Sequence, residues 1–191
     1  ANRGKTSVVA DFRTEAGRAQ VIDLIKNADI LIENFKVDGL KKYGLDYNSL
    51  IKINPRLIYC SITGFGQTGP YAQRAGYDFM IQGMSGLMSI TGTPEGQPQK
   101  VGVAVTDVVT GLYGTIGILA AVQQRHASGR GQHIDMSLLD CATAMLANQA
   151  MNYLSTGTSP ERKGNAHPNI APYQVVPTAD GHIIIAVGND G

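Results

Sequence analysis

Short continuous apolar runs alternate with helix-spaced segments through the first sixty residues, and no other feature constrains the fold of this chain as strongly. Ser7–Phe12 is an apolar run, Thr14–Asn27 carries Ala16, Ala19, Val21, Ile22, Leu24 and Ile25 at helical spacing, and Asp29–Phe35 is apolar again. A second crossover through Leu40–Ile53, interrupted at Gly44, turns at Asn54-Pro55 into the β-rich run Leu57–Thr63. Strands that are apolar along their whole length must be covered on both sides. The pattern therefore predicts an α/β protein built on a parallel sheet with helices on both faces.

Beyond Thr63 the alternation continues with longer interruptions. Gly64–Asp78, rich in Gly, Pro, Gln and Arg, reads as a long loop of the kind that carries function. A helix is expected from about Tyr77 to Ser89, then an exposed connection over Thr91–Lys100 and a long helix over Thr106–His126 closed by Ser128-Gly129. A strand over Gln132–Ser137 and a helix over Leu138–Leu154 follow. Tyr173–Thr178, Ala179-Asp180-Gly181 and His182–Val187 spell a β-hairpin. Residues 1–165 are read as a large domain, and 166–191 as a linker and hairpin that open a second, smaller one. Neither end has the look of a natural terminus, so the chain is read as part of a longer protein.

Charge and composition narrow the function. Lys and Arg number 16 against 15 acids, a net charge of +1, which provides no broad field for nucleic acid or an anionic membrane. Cys60 and Cys141 lie inside separate apolar runs without C-x-x-C spacing. That is the pattern of free buried thiols in a reducing compartment, the cytoplasm or, in a eukaryote, the mitochondrial matrix. The stretch Val101–Val122 is interrupted by Thr106, Asp107, Thr110, Thr115 and several glycines, and reads as a core helix rather than a membrane span. His126, His133, His167 and His182 fall on different elements with no ligand spacing, so no metal site is expected. Gly64–Gly69 matches G-x-G-x-x-G, but Pro70 follows, no helix opens until about Tyr77, and no acid stands at the interval a ribose needs. A glycine-rich active-site loop fits better than a dinucleotide site.

Open parallel sheets bind ligands in the crevice beyond the carboxyl ends of their strands. Asp11-Phe12-Arg13, Asn34-Phe35-Lys36 and Gly64-Phe65-Gly66 fall there. Arg13, Lys36, Lys42 and Arg74 offer charge to phosphates and Phe12 or Phe35 a flat surface to a purine, although the same residues fit ordinary solvated loops. Asp140 stands in the first turn of an apolar helix, behind Ser137 as its N-cap. It is either a helix-start acid, favoured by the unpaired N–H groups, or a carboxylate kept ionised to attack a thioester carbonyl. Cys141 beside it fits a small core residue at least as well as a thiolate nucleophile.

Taken in order, several blocks resemble the class III coenzyme A transferases, the CaiB/BaiF-like family, whose sister branch is the α-methylacyl-CoA racemases. They are Asn2-Arg3-Gly4-Lys5, Ala28–Phe35, Asn54–Tyr59, Gly64–Pro70, Gly76-Tyr77-Asp78, Gly102–Asp107, Ser128–Gln132 and Asp135–Asp140, spread over essentially the whole chain. The resemblance implies a Rossmann-like CoA-binding domain and an interlocked homodimer. It also implies an acyl-CoA and a small carboxylate as substrates, with coenzyme A as substrate rather than prosthetic group. It makes Asp140 the nucleophile and carries CoA contacts onto Ala10, Asp11, Phe12 and Arg13, onto Asn34, Phe35 and Lys36, onto Lys42, and onto Ala75, Gly76, Tyr77 and Asp78. Some relatives carry Lys at the position of Ala75, and Arg74 is the natural substitute. Racemases carry His at the position of Tyr77, where it shuttles the α-proton. A tyrosine with an ordinary pKa far above neutrality suits transfer better. Three readings follow: a CoA-transferase leaning towards succinyl or glutaryl groups, a 2-methylacyl-CoA racemase, and a nucleotide-binding module without chemistry.

Overall fold

The structure, a computed structural model, describes residues 2–189. Its elements run α1 (Glu15–Lys26), β1 (Ile30–Glu33), a 3₁₀ turn (Lys41–Tyr43), α2 (Tyr47–Leu50), β2 (Ile58–Thr63), α3 (Asp78–Met84), α4 (Leu87–Ile90) and α5 (Val105–Ser128). They continue with β3 (His133–Ser137), α6 (Leu138–Ala144), α7 (Ala147–Thr156), β4 (Tyr173–Pro177) and β5 (His182–Ala186). The described residues form two compact units, one of residues up to Gly76 with Thr110–Ser137, the other of Tyr77–Val109 with residues from Leu138 onward.

The first unit is the predicted parallel sheet, in the order β1-β2-β3. Leu31, Tyr59 and His133 share one row and Ile32, Cys60 and Ile134 the next, so successive rows face opposite sides. On the Tyr59 side, Val21, Ile22 and Ile25 of α1 meet Leu31, Leu40, Leu45, Leu50 and Leu57 in the main core. On the other side, α5 lays Gly117 and Gly114 against Ile134 and Met136, small residues that let the helix approach closely. Thr14 caps α1 by accepting from Gly17 N at 3.1 Å, and Glu15 and Lys26 sit at the ends where their charges suit the helix dipole. Leu50 and Leu57 are wholly buried, so truncating either to alanine costs about 2–5 kcal/mol.

Several expected elements change. Ser7–Phe12 is not a strand: among the described residues no strand pairs with it and Val9 is 92% exposed, so the run has no ladder, although Phe12 at its end packs against the core. The helix expected over Tyr77–Ser89 divides into α3 and α4 at Gly86, whose φ of 90° is a left-handed conformation. The helix expected over Leu138–Leu154 divides into α6 and α7, with Ala147 at φ 45°. The expected core helix, α5, is buried along one face only, with Leu112, Ile116 and Leu119 each about 60% exposed. The hairpin forms as predicted, β4 pairing with β5 antiparallel from Tyr173↔Ala186 to Pro177↔His182.

Candidate active site

In the first unit, Phe12 ahead of α1, Phe35 just past the end of β1 and Tyr43 of the 3₁₀ turn meet. The Phe12 ring stands edge-on to Phe35 at 5.7 Å and to Tyr43 at 5.1 Å, and Lys42 Nζ lies 4.9 Å from the centre of the Tyr43 ring. Phe35 stays 46% exposed, leaving an aromatic surface with basic groups near it. Glu33 ends β1 and accepts from Phe35 N at 2.7 Å, which fixes the Asn34–Lys36 turn. Asn34 and Lys36 are exposed, and Ala10 is half-buried. Tyr43 escaped the sequence reading; its place between Lys42 and the helix-breaking Gly44 was the available signal.

Arg13 is less available than its charge suggests. Its Nε and Nη2 donate to the two Asp11 carboxylate oxygens at 2.9 Å each, and its backbone N–H donates to Asp11 Oδ1 at 3.0 Å. These hydrogen bonds hold Asp11 below the ordinary carboxylate range and Arg13 above its own ordinary value. A phosphate reaching Arg13 must share it with Asp11. Arg74 belongs to a different group, stacked 4.6 Å over Tyr71, whose ring meets Phe65 edge-on at 5.4 Å. Ala75 is exposed, and Gly76 touches Gly64 so closely that a Cβ on Gly64 would lie 2.5 Å from Gly76 Cα.

A polar cleft of about 160 Å³ opens on the Tyr59 side of the sheet, lined among others by Glu33, Lys36, Lys41, Tyr47, Ser61 and His133. Ser61 Oγ and His133 Nε2 share a hydrogen bond of 2.9 Å, and the His133 ring stacks on Tyr47 at 4.9 Å. Burial pushes His133 below its ordinary pKa, against the pull of Asp135 and Glu33. Of these, Lys36 was expected from sequence as a ligand contact, whereas Tyr47, Ser61 and His133 were not. The alternation that puts His133 and Asp135 on one side of β3 was the readable signal.

In the second unit, Tyr77 precedes α3 and is 76% exposed. Asp78 points elsewhere: Oδ1 accepts from Thr106 N at 2.8 Å and Thr106 Oγ1 at 2.6 Å, and Oδ2 accepts from Gln82 Nε2 at 2.7 Å. Burial raises the Asp78 pKa, but these hydrogen bonds and one from the Asp107 backbone outweigh it, and the group sits below its ordinary value. Helix α3 packs on α6, whose first turn carries Asp140 on the surface. Because α6 has only seven residues, a long helix dipole does not stand behind that carboxylate. Cys141 is buried next to Ala142, as a small core residue would be. Among the described residues no group of three or more His, Cys, Asp or Glu is arranged to hold a metal ion.

The chain as a whole is similar to known proteins. The sequence matches the profile described as CoA-transferase family III over residues 1–191. It is 66% identical over 190 residues to a succinate–glutarate CoA-transferase of Agrobacterium fabrum, covering 100% of this chain and 48% of that protein. It is 43% identical over 190 residues to an acetyl-CoA:oxalate CoA-transferase of Acetobacter aceti, covering 99% of this chain and 49% of that one. The crystal structure of a CaiB/BaiF family protein from Brucella suis superposes with a TM-score of 0.89 at 65% identity, covering 98% of this chain and 50% of that chain. The chain thus spans about half the length of the curated relatives it matches. With the whole sequence matched and the fold shared at high identity, this chain belongs to CoA-transferase family III.

Proposed function

We propose that this chain carries the nucleophile and CoA-contacting segments of an enzyme that moves coenzyme A from an acyl-CoA, succinyl-CoA first among candidates, to a small dicarboxylic acid. The observation that carries the reading is Asp140: three residues past the end of β3, it is exposed in the first turn of α6, where a substrate can reach it. The Asp140 carboxylate attacks the thioester carbonyl, forming a mixed anhydride and releasing the CoA thiolate. That thiolate attacks the aspartyl carbonyl, so the donor acid leaves and an aspartyl-CoA thioester remains. The acceptor carboxylate displaces the thiolate to form a second anhydride, and the thiolate returns to the acceptor's acyl carbon, restoring Asp140. Each step is an acyl transfer in which bound CoA keeps its thiolate near the reacting carbon.

In this reading the nucleotide end of CoA meets Ala10–Arg13, Asn34–Lys36 and Lys42, with the Phe12–Phe35–Tyr43 rings as its apolar support and Lys42 as a point charge for phosphate. Arg74 and Ala75–Asp78 meet the rest of the molecule, with Tyr77 towards the acyl portion. The enzyme works as an interlocked homodimer. The names of the two relatives place dicarboxylates on both, glutarate in one and oxalate in the other, which favours a short diacid as acceptor here.

The test is mass spectrometry of the full-length enzyme incubated with succinyl-CoA without acceptor and then with hydroxylamine, which converts an aspartyl thioester to a hydroxamate. The modification is expected on the peptide containing Asp140, and Asp140→Asn is expected to lower turnover at least a thousandfold while CoA still binds. Unchanged turnover in Asp140→Asn would leave a nucleotide-binding module. Exchange of the α-hydrogen of a 2-methylacyl-CoA with solvent deuterium would instead make the protein a racemase.

A further inference from the structure

Asp78 lies in a stretch assigned above to acyl-CoA, yet its carboxylate is already taken. One oxygen accepts from both the backbone N–H and the hydroxyl of Thr106, the other from the Gln82 amide. Gln82 and Thr106 are both wholly buried. Gln82 also accepts from Val101 N at 2.8 Å through Oε1 and donates to Val103 O at 3.4 Å. The network therefore ties the first residue of α3 to the 101–103 segment and to the start of α5, whose opening N–H groups it caps from outside the helix. A carboxylate accepting these three hydrogen bonds and a fourth from the Asp107 backbone has little capacity left for a ligand, and removing any one donor leaves a half-buried acceptor short of a partner.

We propose that Gln82 and Thr106 are positioning residues for the acyl-CoA donor. They act through Asp78, whose carboxylate does not touch substrate but holds the backbone of the Gly76-Tyr77-Asp78 turn so that the exposed Tyr77 ring presents one fixed surface. The proposal rests on the reading that this turn meets acyl-CoA. Tyr77 itself makes no side-chain cap at the start of α3, and its ring is 76% exposed, so nothing in its own packing fixes where it points. The adjacent anchored Asp78 is the restraint. Thr106→Val removes one hydroxyl donor while keeping the backbone N–H bond and the side-chain volume, which makes it a narrow probe.

The experiment uses the full-length enzyme with succinyl-CoA as donor. Thr106→Val is expected to raise KM for succinyl-CoA about five- to tenfold with kcat changed less than twofold, and Thr106→Ser, which restores the hydroxyl, to return KM to the starting value. Gln82→Met, close in shape but without the amide, should act in the same direction and serves where Thr106→Val does not fold. Combining Thr106→Val with Tyr77→Ala should raise KM no further than Tyr77→Ala alone, because both remove the same surface. A lower melting temperature with KM unchanged in both single variants would overturn the positioning role and reduce the network to a structural splint. If Tyr77→Ala itself leaves KM unchanged, the underlying reading of the turn fails, and that outcome is separable from the first.

Discussion

At the scale of single residues, burial decides which titratable groups can act. Burial, with Glu33 and Asp135 adding to it, pushes the Cys60 thiol up to about 11, so at pH 8 it stays protonated beneath a closed surface. Iodoacetamide should leave Cys60 unmodified in the native protein and alkylate it fully in urea, a contrast that peptide mass mapping reads directly. His133 is shifted downward by burial, so between its folded and its ordinary pKa the unfolded chain binds the additional proton. Stability should therefore fall as pH drops from 7 through the ordinary histidine range and level off below the folded value. His133→Asn should flatten that slope between pH 7.5 and 5 in urea titrations. Because the substitution also deletes the Tyr47 stack, the change in slope is the readout and the change in absolute stability is not. Asp78 acts in the same direction at lower pH: its stabilising bonds are intact above the ordinary carboxylate range and are lost as pH falls through its lowered folded value. The sequence could not show how the Asp78 carboxylate is held, because the partner that claims it, Thr106, is 28 residues away.

Elements were legible wherever the local pattern and the final packing agree. β1, β2, β3, α1, α5 and the β4–β5 hairpin lie within a few residues of where periodicity put them, since the local apolar pattern sets the type of each element even where, as in α5, its apolar face is left exposed. The failures have physical causes. Ser7–Phe12 has the composition of a strand, but a strand exists only with a hydrogen-bonding neighbour. The break between α6 and α7 falls at Met145-Leu146-Ala147, with no glycine or proline to announce it, whereas Gly86 did mark the end of α3. The candidate site shows the same division: Phe12 and Phe35 were readable as residues closing apolar runs and Lys42 as a charge for phosphate, while Tyr43, Gln82 and Thr106 depend on tertiary contact. The Gly64–Gly76 approach is the sharpest such contact. Here G-x-G-x-x-G serves backbone crowding at its first glycine rather than a helix N-terminus, since α3 begins only at Asp78. Gly64→Ala should force the 64–76 loop apart and cost about 1–3 kcal/mol, the usual size of overpacking. Urea denaturation should show it. An alanine tolerated with an unchanged midpoint would mean that the loop moves freely away from β2.

At the scale of the molecule, α5 presents an exposed apolar surface that the sheet packing does not explain. Val108, Leu112, Ile116 and Leu119 recur at helical spacing, each between 57% and 62% exposed, while Gly114, Gly117 and Ala121 take the covered side. By length and composition α5 could cross a membrane, but its small residues are fitted to Ile134 and Met136 of a sheet. A contiguous apolar stripe of this kind on a protein surface usually marks an interface. The curated relatives are about twice as long, and in a protein of that length the stripe is expected to be covered, by further chain or by a second copy. Ile116→Asp with Leu119→Asp separates covered from solvated surface, because the same change should have opposite effects in two contexts. In residues 1–191 expressed alone it should reduce ANS fluorescence and self-association in sedimentation, since charge replaces exposed hydrocarbon. In the full-length enzyme it should lower the melting temperature by several degrees or prevent soluble expression, since two charges are then buried without partners. A full-length double variant as stable as the parent, within about 0.5 kcal/mol, would show that this face meets only water.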